Sequence, residues 1–262
     1  PGGLYLAQLA GWHVPFFVVG ALGLVAAVAA RAALPPLRAH LTAERTGNVV
    51  GAFVAILGRR ESLIAFAMSA TSNAGAFLLI PNIATFLQEN LGYPRSDLGA
   101  LYLMGGVASF LTLGPFGRLV DRVGSARVSV LGTLLSSTTI LVGFVAAWPW
   151  VPVAAVFCAF MITSGLRNVA ASTILSRVPA PAERARFMSL ESMVKHLALA
   201  AGSLTSAALL STDAEDRLVG MEAVGTLSVV LMGLTPVACI VLERRLGRAR
   251  ATVSAPRMEH GT

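Results

Sequence analysis

The chain has 262 residues, of which 55% are hydrophobic and 13% are charged, and its formal net charge at pH 7 is +7. A soluble domain carries about 25% charged residues, so this composition argues against a soluble globular protein. The positive charge lies in short segments between long apolar runs, which argues against a nucleic-acid-binding surface and indicates a membrane protein.

Seven apolar runs predict seven membrane-spanning helices, and the expected fold is therefore all-α and transmembrane. The hydrocarbon core of a bilayer is about 30 Å thick, and a helix needs about 20 predominantly apolar residues to cross it. The runs that satisfy this requirement are residues 14–34, 63–87, 98–117, 128–147, 152–176, 187–211 and 222–242. No soluble fold needs seven such runs.

The segments outside these spans complete the predicted layout. Residues 1–10 are apolar but only half as long as a span, so we interpret them as the end of a helix that begins in an earlier part of a longer protein. Residues 35–62 form the longest connection. Its apolar residues recur at helical spacing from Val49 to Leu57, which predicts an amphipathic helix in the membrane interface. Residues 243–262 form a basic tail.

The six spans between residues 63 and 242 divide into two groups of three, joined by the short segment WPWVP at residues 148–152. An inverted repeat has this count, because its second triplet crosses the membrane in the opposite direction to the first. We therefore predict a six-helix bundle with a 3+3 inverted repeat. The prediction depends on the number and direction of the spans and not on repeated sequence.

Arginine alternates between successive connections. The connections after the first, third and fifth spans and the C-terminal tail each carry several arginines, whereas the other connections carry at most one. The positive-inside rule places arginine-rich connections on the cytoplasmic side. We therefore predict a cytoplasmic C-terminus, with Trp12, Trp148 and Trp150 at the opposite interface.

One of the arginine-rich segments, GRLVDRVGSAR at residues 117–127, carries a recognisable pattern. A glycine is followed by an aspartate with a basic neighbour, a second glycine and a further basic residue. This pattern resembles the loop signature of the major facilitator superfamily, although Ser125 and Ala126 stand where that family often has basic residues. At the start of the chain, PGG at residues 1–3 followed by GWHVPFFVVGALGLV at residues 11–25 resembles the end of the fifth helix and the sixth helix of a drug/proton-antiporter-like member. Residues 79–124 resemble the seventh and eighth helices of bacterial members described as arabinose-efflux-like permeases, and residues 181–190 resemble the entry into the eleventh helix.

The resemblance implies an identity for each predicted segment. Residues 1–34 would be the end of the fifth helix and the whole sixth helix, and residues 35–62 the cytoplasmic central loop. Residues 63–242 would be the C-terminal six-helix half, and residues 243–262 a cytoplasmic tail. The expected partners then include a preceding N-terminal half.

The glycines and charged residues of the signature form a candidate gating motif. They are Gly117, Arg118, Asp121, Arg122, Gly124 and Arg127. The glycines would permit close approach and a tight reversal at the helix ends, and the aspartate could cap a neighbouring helix or pair with the arginines. The resemblance implies a latch that closes the cytoplasmic side in one state. The alternative is a static turn that anchors the topology, because arginines in inner connections need no gating role.

Charged residues inside the spans are the best indicators of a substrate cavity, because a charge at mid-membrane costs about 2.5 kcal/mol or more. Arg167 has no partner within its own helix, whereas Glu191 and Lys195 are four residues apart on one helix face. In the functional interpretation, Arg167 and Lys195 set the charge of the cavity and Glu191 titrates with coupled protons. The alternative for Glu191 and Lys195 is a structural ion pair, which their spacing favours.

Neutral polar residues extend the candidate cavity. Ser69 and Asn73 share one face of the second predicted span, and Tyr102 and Ser109 share a stripe of the third. Each can line a cavity or form a hydrogen bond between helices. We include Ser69, Asn73 and Tyr102 among the candidate substrate residues.

The predicted function is secondary active transport, with proton-coupled efflux of small molecules by alternating access in a bacterial inner membrane. The expected partners are a small-molecule substrate, the lipid bilayer and protons, and no cofactor, metal site or nucleic acid is predicted. The alternative is a non-transporting scaffold or receptor of the same fold. An enzyme is not predicted, because Ser164 and His196, the one conceivable catalytic pair, have no oxyanion site nearby in sequence.

Overall fold

The structure is a computed structural model that describes residues 10–33, 49–148 and 150–254, together with residues 3 and 6. Most of the predicted N-terminal helix end, residues 34–48 of the long connection and the last eight residues of the tail lie outside the described residues. The chain divides into two compact units, Pro1–Ala52 and Phe53–Thr262.

The first unit contains helix α1, Val14–Ala33, in which no residue is buried. Its sequence is an uninterrupted apolar run with Arg31 as the one charged residue, in the last turn. The helix agrees closely with the predicted span. Helix α2, Val49–Leu57, begins in the first unit and ends in the second, at the position of the predicted amphipathic helix. In the second unit, Ile56 of this helix is buried against Ala65, Phe66 and Met68.

The second unit is a bundle of six long helices. They are α3 Arg60–Leu79, α4 Leu98–Val123, α5 Ser125–Ile140, α6 Val153–Leu175, α7 Arg184–Leu209 and α8 Met221–Ser254. Helix α3 continues through a 3-10 turn at Ile80–Asn82, a helical turn at Ile83–Thr85 and a π-helical turn at Phe86–Asn90, and α5 continues through a π-helical turn at Leu141–Val145. A short antiparallel hairpin, β1 Ser211–Thr212 and β2 Leu218–Val219, joins α7 to α8, with Ser211 opposite Val219.

Six described helices are long and apolar enough to cross a membrane: Val14–Ala33, Arg60–Asn90, Leu98–Val123, Ser125–Val145, Val153–Leu175 and Met221–Gly247. The sequence predicts seven such spans. The difference is α7, which forms over 26 residues but is less apolar than the others. Its first three turns contain Arg184, Arg186, Glu191 and Lys195, so composition alone does not identify it as a span.

The packing of the bundle repeats between its two triplets. Helix α3 packs against α7 and α8, and α6 packs in the same way against α4 and α5. If the triplets α3–α4–α5 and α6–α7–α8 are exchanged, the α3–α7 contact becomes the α6–α4 contact and the α3–α8 contact becomes the α6–α5 contact. The remaining extensive contact, between α5 and α8, is unchanged by the exchange. This exchange pattern is the one that an inverted repeat of three helices produces.

Helix α3 lies at a close approach between α7 and α8. A Cβ added at Gly202 of α7 would stand 2.5 Å from the carbonyl oxygen of Ala74, and one added at Gly75 would stand 2.9 Å from Met232 of α8. Both glycines therefore let the helix backbones approach more closely than larger residues would. Because Pro81 has no backbone N–H, the helix narrows to a 3-10 turn there, and Ser206 of α7 donates a buried hydrogen bond of 2.6 Å to the backbone carbonyl of Leu78.

The connections place the two ends of the bundle in different chemical settings. At the basic end, which we define by the starts of α3, α5 and α7 and by the Glu243–Arg245 segment of α8, Arg59 pairs with Glu183 and Arg245 pairs with Glu61. At the hairpin end, which we define by the β hairpin and the end of the α3 extension, Asn90 forms hydrogen bonds with Leu218. Charged contacts thus join the helices at one end and neutral contacts join them at the other.

Two helices are longer than the sequence predicts at the basic end. Helix α4 continues to Val123, six residues beyond the predicted end at Gly117, and α8 continues into the predicted tail as far as Ser254. Arg122 lies in the last turn of α4, where a cation interacts favourably with the helix dipole. Charged residues therefore end the membrane-spanning run in the sequence without ending the helix.

Candidate functional site

Two cavities of about 420 Å³ each lie among α3, α4, α6 and α7. The first, which we call the polar cavity, lies between α3, α6 and α7; its polar lining residues are Ser69, Ser72, Asn73, Asn168, Ser172, Glu191 and Lys195. The second, which we call the arginine cavity, lies between α3, α4 and α6; its polar lining residues are Tyr102, Ser109, Ser164, Arg167 and Asn168. The six substrate-cavity residues predicted from sequence thus divide between two neighbouring cavities.

Glu191 occupies a nearly buried position in the polar cavity. Glu191 is 9% exposed, and its Oε1 accepts a hydrogen bond of 2.7 Å from the hydroxyl of Ser69. Asn73, one turn along α3, donates a hydrogen bond of 2.8 Å to the backbone carbonyl of Ser69. Ser69 and Asn73, one turn apart on α3, thus line the same cavity as Glu191 of α7.

The ion pair between Glu191 and Lys195, which is the alternative interpretation of their spacing, does not form in the structure. The ion pairs found among the described residues are Arg59–Glu183 and Arg245–Glu61, and neither involves α7 beyond its N-terminal turn. Lys195 is exposed, whereas Glu191 accepts a hydrogen bond from Ser69 across the cavity. A partner on another helix therefore takes precedence over the residue one turn away, and helical spacing alone could not reveal it.

Arg167 is the most buried charged residue of the site. It is 1% exposed, and its Nε and Nη1 atoms have no hydrogen-bond partner. The α5 helix approaches its backbone closely, because a Cβ on Gly132 would stand 3.2 Å from the Arg167 nitrogen. Arg167 therefore enters a tightly packed region of the bundle with part of its guanidinium group uncompensated.

The remaining wall of the arginine cavity is mainly apolar. Tyr102 and Phe157 contact each other edge to face, with ring centroids 4.8 Å apart, and Phe160 and Met161 lie on the same wall. Ser164 lines the cavity with a buried hydroxyl that has no partner. Tyr102 and Ser109 both line this cavity, as their seven-residue spacing on α4 suggests.

Asn168 is a site residue that the sequence analysis did not identify. It lines both cavities and is exposed, so it lies where the two cavities adjoin on α6. Its signal in the sequence is its position next to Arg167 within an otherwise apolar helix. An uncharged amide is common in helix–helix contacts, so this signal alone does not distinguish it from a packing residue.

The candidate gating motif is mostly helical. Gly117, Arg118, Asp121 and Arg122 lie in the last turns of α4, so the expected loop reduces to a turn at Gly124. Gly117 has open space where a Cβ would stand, and no close approach requires a glycine there. Gly124 has a φ of 95°, a conformation that side chains other than glycine rarely adopt, and it makes the reversal into α5.

The charged residues of the motif are on the surface. Asp121, Arg122 and Arg127 are all exposed, and the described ion pairs do not include Asp121. The N-terminus of α5 is instead capped from α8, because Oε2 of Glu243 accepts a hydrogen bond of 3.2 Å from the backbone nitrogen of Ala126. Glu243 is thus a second residue that the sequence analysis missed, and its signal is a single acid directly before Arg244 and Arg245.

A second contact at the basic end joins the residue before α3 to the residue before α7. Arg59 donates two hydrogen bonds to the carboxylate of Glu183, of which the one from Nη2 to Oε1 measures 2.9 Å. This contact holds the pKa of the Glu183 carboxyl below its ordinary value. Within the part of the chain that the structure describes, no cluster of three His, Cys, Asp or Glu side chains could hold a metal ion.

Comparison with known proteins agrees with this architecture. The protein-family model described as Major Facilitator Superfamily matches residues 63–257, which run from the first turn of α3 past the end of α8. A search of curated proteins gave no match. Because the family match covers about three-quarters of the chain and the whole six-helix bundle, this chain belongs to the Major Facilitator Superfamily of membrane transporters.

Proposed function

We propose that this protein couples the efflux of small molecules to protons by alternating access, and that Glu191 carries the coupled proton. The observation that supports this proposal most directly is the contact between Glu191 and Ser69. A nearly buried carboxylate is held there by a neutral hydroxyl at 2.7 Å and forms no ion pair with a described residue.

The physical chemistry of a buried carboxylate supports a protonation step. An ionised carboxylate is costly to remove from water unless a cation or several hydrogen bonds compensate its charge. Ser69 supplies one hydrogen bond to the carboxylate of Glu191. We propose that Glu191 takes up a proton when the cavity closes and releases it when the cavity reopens toward the other side.

The bundle supplies elements that can open and close such a cavity. The two cavities share Asn168 of α6 as a lining residue, so they lie side by side on the face made by α3, α4, α6 and α7. Rocking of repeats about a central site is the usual motion of transporters built from inverted repeats. We assign the basic end to the cytoplasm of a bacterial cell by the positive-inside rule, and the membrane to its inner membrane.

A flux experiment tests the proposal. The full-length gene product is purified and reconstituted into proteoliposomes that contain a pH-sensitive dye, and a panel of labelled anionic, neutral and cationic molecules is offered with and without a pH gradient. We expect at least one molecule to move with the gradient and to alter the internal pH as it moves. Movement that ignores the gradient would contradict proton coupling.

Matched variants identify the proton carrier. Glu191→Gln removes the ionisable group but keeps the acceptor for Ser69, so we expect gradient-driven flux to stop while exchange of labelled for unlabelled substrate continues. Glu222→Gln removes an exposed acid from the first turn of α8 and serves as the control. Gradient-driven flux that survives Glu191→Gln would exclude Glu191. A correctly inserted protein that moves none of the panel would favour a scaffold or receptor.

A further inference from the structure

We propose that the arginine cavity binds the anionic group of an organic acid, with Arg167 as the binding cation and the surrounding aromatic wall holding an apolar body. This inference names the substrate class of the proposed transporter and therefore rests on that function. Its argument depends on the charge, shape and lining of a single cavity.

The charge of the cavity is uncompensated. Arg167 is 1% exposed, and both Nε and Nη1 lack a hydrogen-bond partner. The lining of this cavity includes no acidic residue, and Glu191 belongs to the neighbouring polar cavity. A buried cation without a counter-ion is unfavourable, so a ligand that brings a negative charge removes a penalty that the empty cavity carries.

The guanidinium group also has the appropriate shape. Its planar N–H donors match the two oxygens of a carboxylate, which they can bind side by side. Ser164 offers a buried hydroxyl without a partner on the same helix, one turn before Arg167. Gly132 allows α5 to pack against the backbone of Arg167, so the base of the side chain is held in place before a ligand binds.

The apolar wall defines the rest of the ligand. Tyr102, Phe157, Phe160 and Met161 face the same cavity, which measures about 420 Å³. Pockets for small organic ligands typically measure about 300–1,000 Å³ and combine an apolar lining with a few polar groups. A two-ring aromatic carboxylate is therefore a suitable probe. The polar cavity contains both Glu191 and Lys195, so it has no comparable preference for anions.

The first test needs no substitution. Binding of 1-naphthoate, 1-naphthamide and 1-naphthylmethylammonium to the purified full-length protein is measured at neutral pH by equilibrium dialysis. The three probes share a ring system and differ in charge. Since a hydrogen bond to a charged group is worth about 1.5–3 kcal/mol, we expect the carboxylate to bind roughly 10- to 100-fold more tightly than the amide. Equal binding of the acid and the amide, or no binding of the acid, overturns the inference.

The second test locates the preference. We expect Arg167→Gln to remove the difference between acid and amide, and Arg167→Lys to retain only part of it because lysine lacks the planar fork. Arg95→Gln, which removes an exposed cation from the connection between α3 and α4, away from both cavities, is the control and should leave the difference unchanged. An acid preference that survives Arg167→Gln, or that disappears in Arg95→Gln, overturns the assignment to Arg167.

A stability measurement separates binding from folding. If Arg167 only supported the structure, Arg167→Gln would lower the melting temperature of the ligand-free protein. We expect an unchanged or higher melting temperature, because the substitution removes an uncompensated buried charge. Binding is measured here without flux, so transport of other molecules in the absence of anion binding would refute this inference alone, whereas anion binding without transport would refute the proposed function.

Discussion

The two ends of the six-helix bundle are joined by different kinds of contact. At the basic end, Arg59 pairs with Glu183, and Arg245 lies 3.2 Å from Glu61. At the hairpin end, the side chain of Asn90 donates to the carbonyl of Leu218 and accepts from its N–H, both at 2.9 Å. The contacts at the first end are exposed and charged, whereas the Asn90–Leu218 contact at the second end is half-buried and joins neutral groups.

This difference determines which end of the bundle stabilises the fold and which end can open reversibly. Exposed ion pairs contribute little to stability and weaken as salt increases, whereas neutral hydrogen bonds in a half-buried setting do not depend on salt. The basic end can therefore separate and re-form at small cost, while the hairpin end holds its helices together. For a transporter, this arrangement favours larger opening at the basic end than at the hairpin end.

The largest effect should come from Gly220, where the hairpin turns into α8. Its φ is 98°, and an added Cβ would overlap the backbone carbonyl oxygen of Leu209, which cannot move without moving the end of α7. We expect Gly220→Ala to destabilise the protein by about 3 kcal/mol or more, from strain and overlap together. The measurement is thermal unfolding in a fixed detergent.

Gly124→Ala is the matched control at the basic end. Gly124 has a similar φ of 95°, but an added Cβ would stand 3.2 Å from Oε1 of Glu243, at the end of a flexible side chain. We expect a smaller loss, about 1–3 kcal/mol, from backbone strain alone. A loss as large as that of Gly220→Ala would show that the basic end is as rigid as the hairpin end and would contradict the comparison.

Two glycines of the candidate gating motif, Gly117 and Gly124, show what sequence can and cannot predict. The long apolar runs located the six helices of the bundle, because helices in a membrane need long apolar segments whatever their neighbours are. The motif also indicated a reversal near Gly124. It did not reveal that Gly117 has open space around it while Gly124 packs against Glu243, because that contact joins residues more than a hundred positions apart.

In the candidate site, too, the sequence indicates which residues are polar but not which residues they contact. The sequence analysis selected Arg167, Glu191 and Ser69 as polar residues within predicted spans, and in the structure all three line cavities. It did not reveal their partners. Glu191 bonds to Ser69 of α3 rather than to its helical neighbour Lys195, and this choice depends on how α3 and α7 pack.

A smaller effect should come from Asn90 at the hairpin end. Asn90→Ala removes two neutral hydrogen bonds to Leu218, each worth about 0.5–1.5 kcal/mol, so we expect a loss of about 1–3 kcal/mol. Because both partners are uncharged, the loss should be the same at low and high salt. Unfolding curves of the wild type and the variant at two salt concentrations measure this. A loss that shrinks as salt rises would place charged contacts at this end too.

The smallest effect should come from the exposed pair Arg59–Glu183 at the basic end. Arg59 lowers the pKa of the Glu183 carboxyl in the folded protein relative to its ordinary value. A carboxyl with a lowered folded-state pKa stabilises the protein above its unfolded-state pKa, and this contribution is lost as the pH falls through the folded-state value. Glu183→Gln should therefore narrow the gap in melting temperature between neutral and acidic pH by a small amount. At about 1 M salt, where the screening length is about 3 Å, the difference in melting temperature between the variant and the wild type should decrease.

Arg177→Gln, which removes an arginine from the same connection but leaves the described pair intact, is the control and should not change the pH dependence. If Glu183→Gln instead lowers stability equally at every pH and salt concentration, the contact acts through packing, and the basic end is not the reversible end of the bundle.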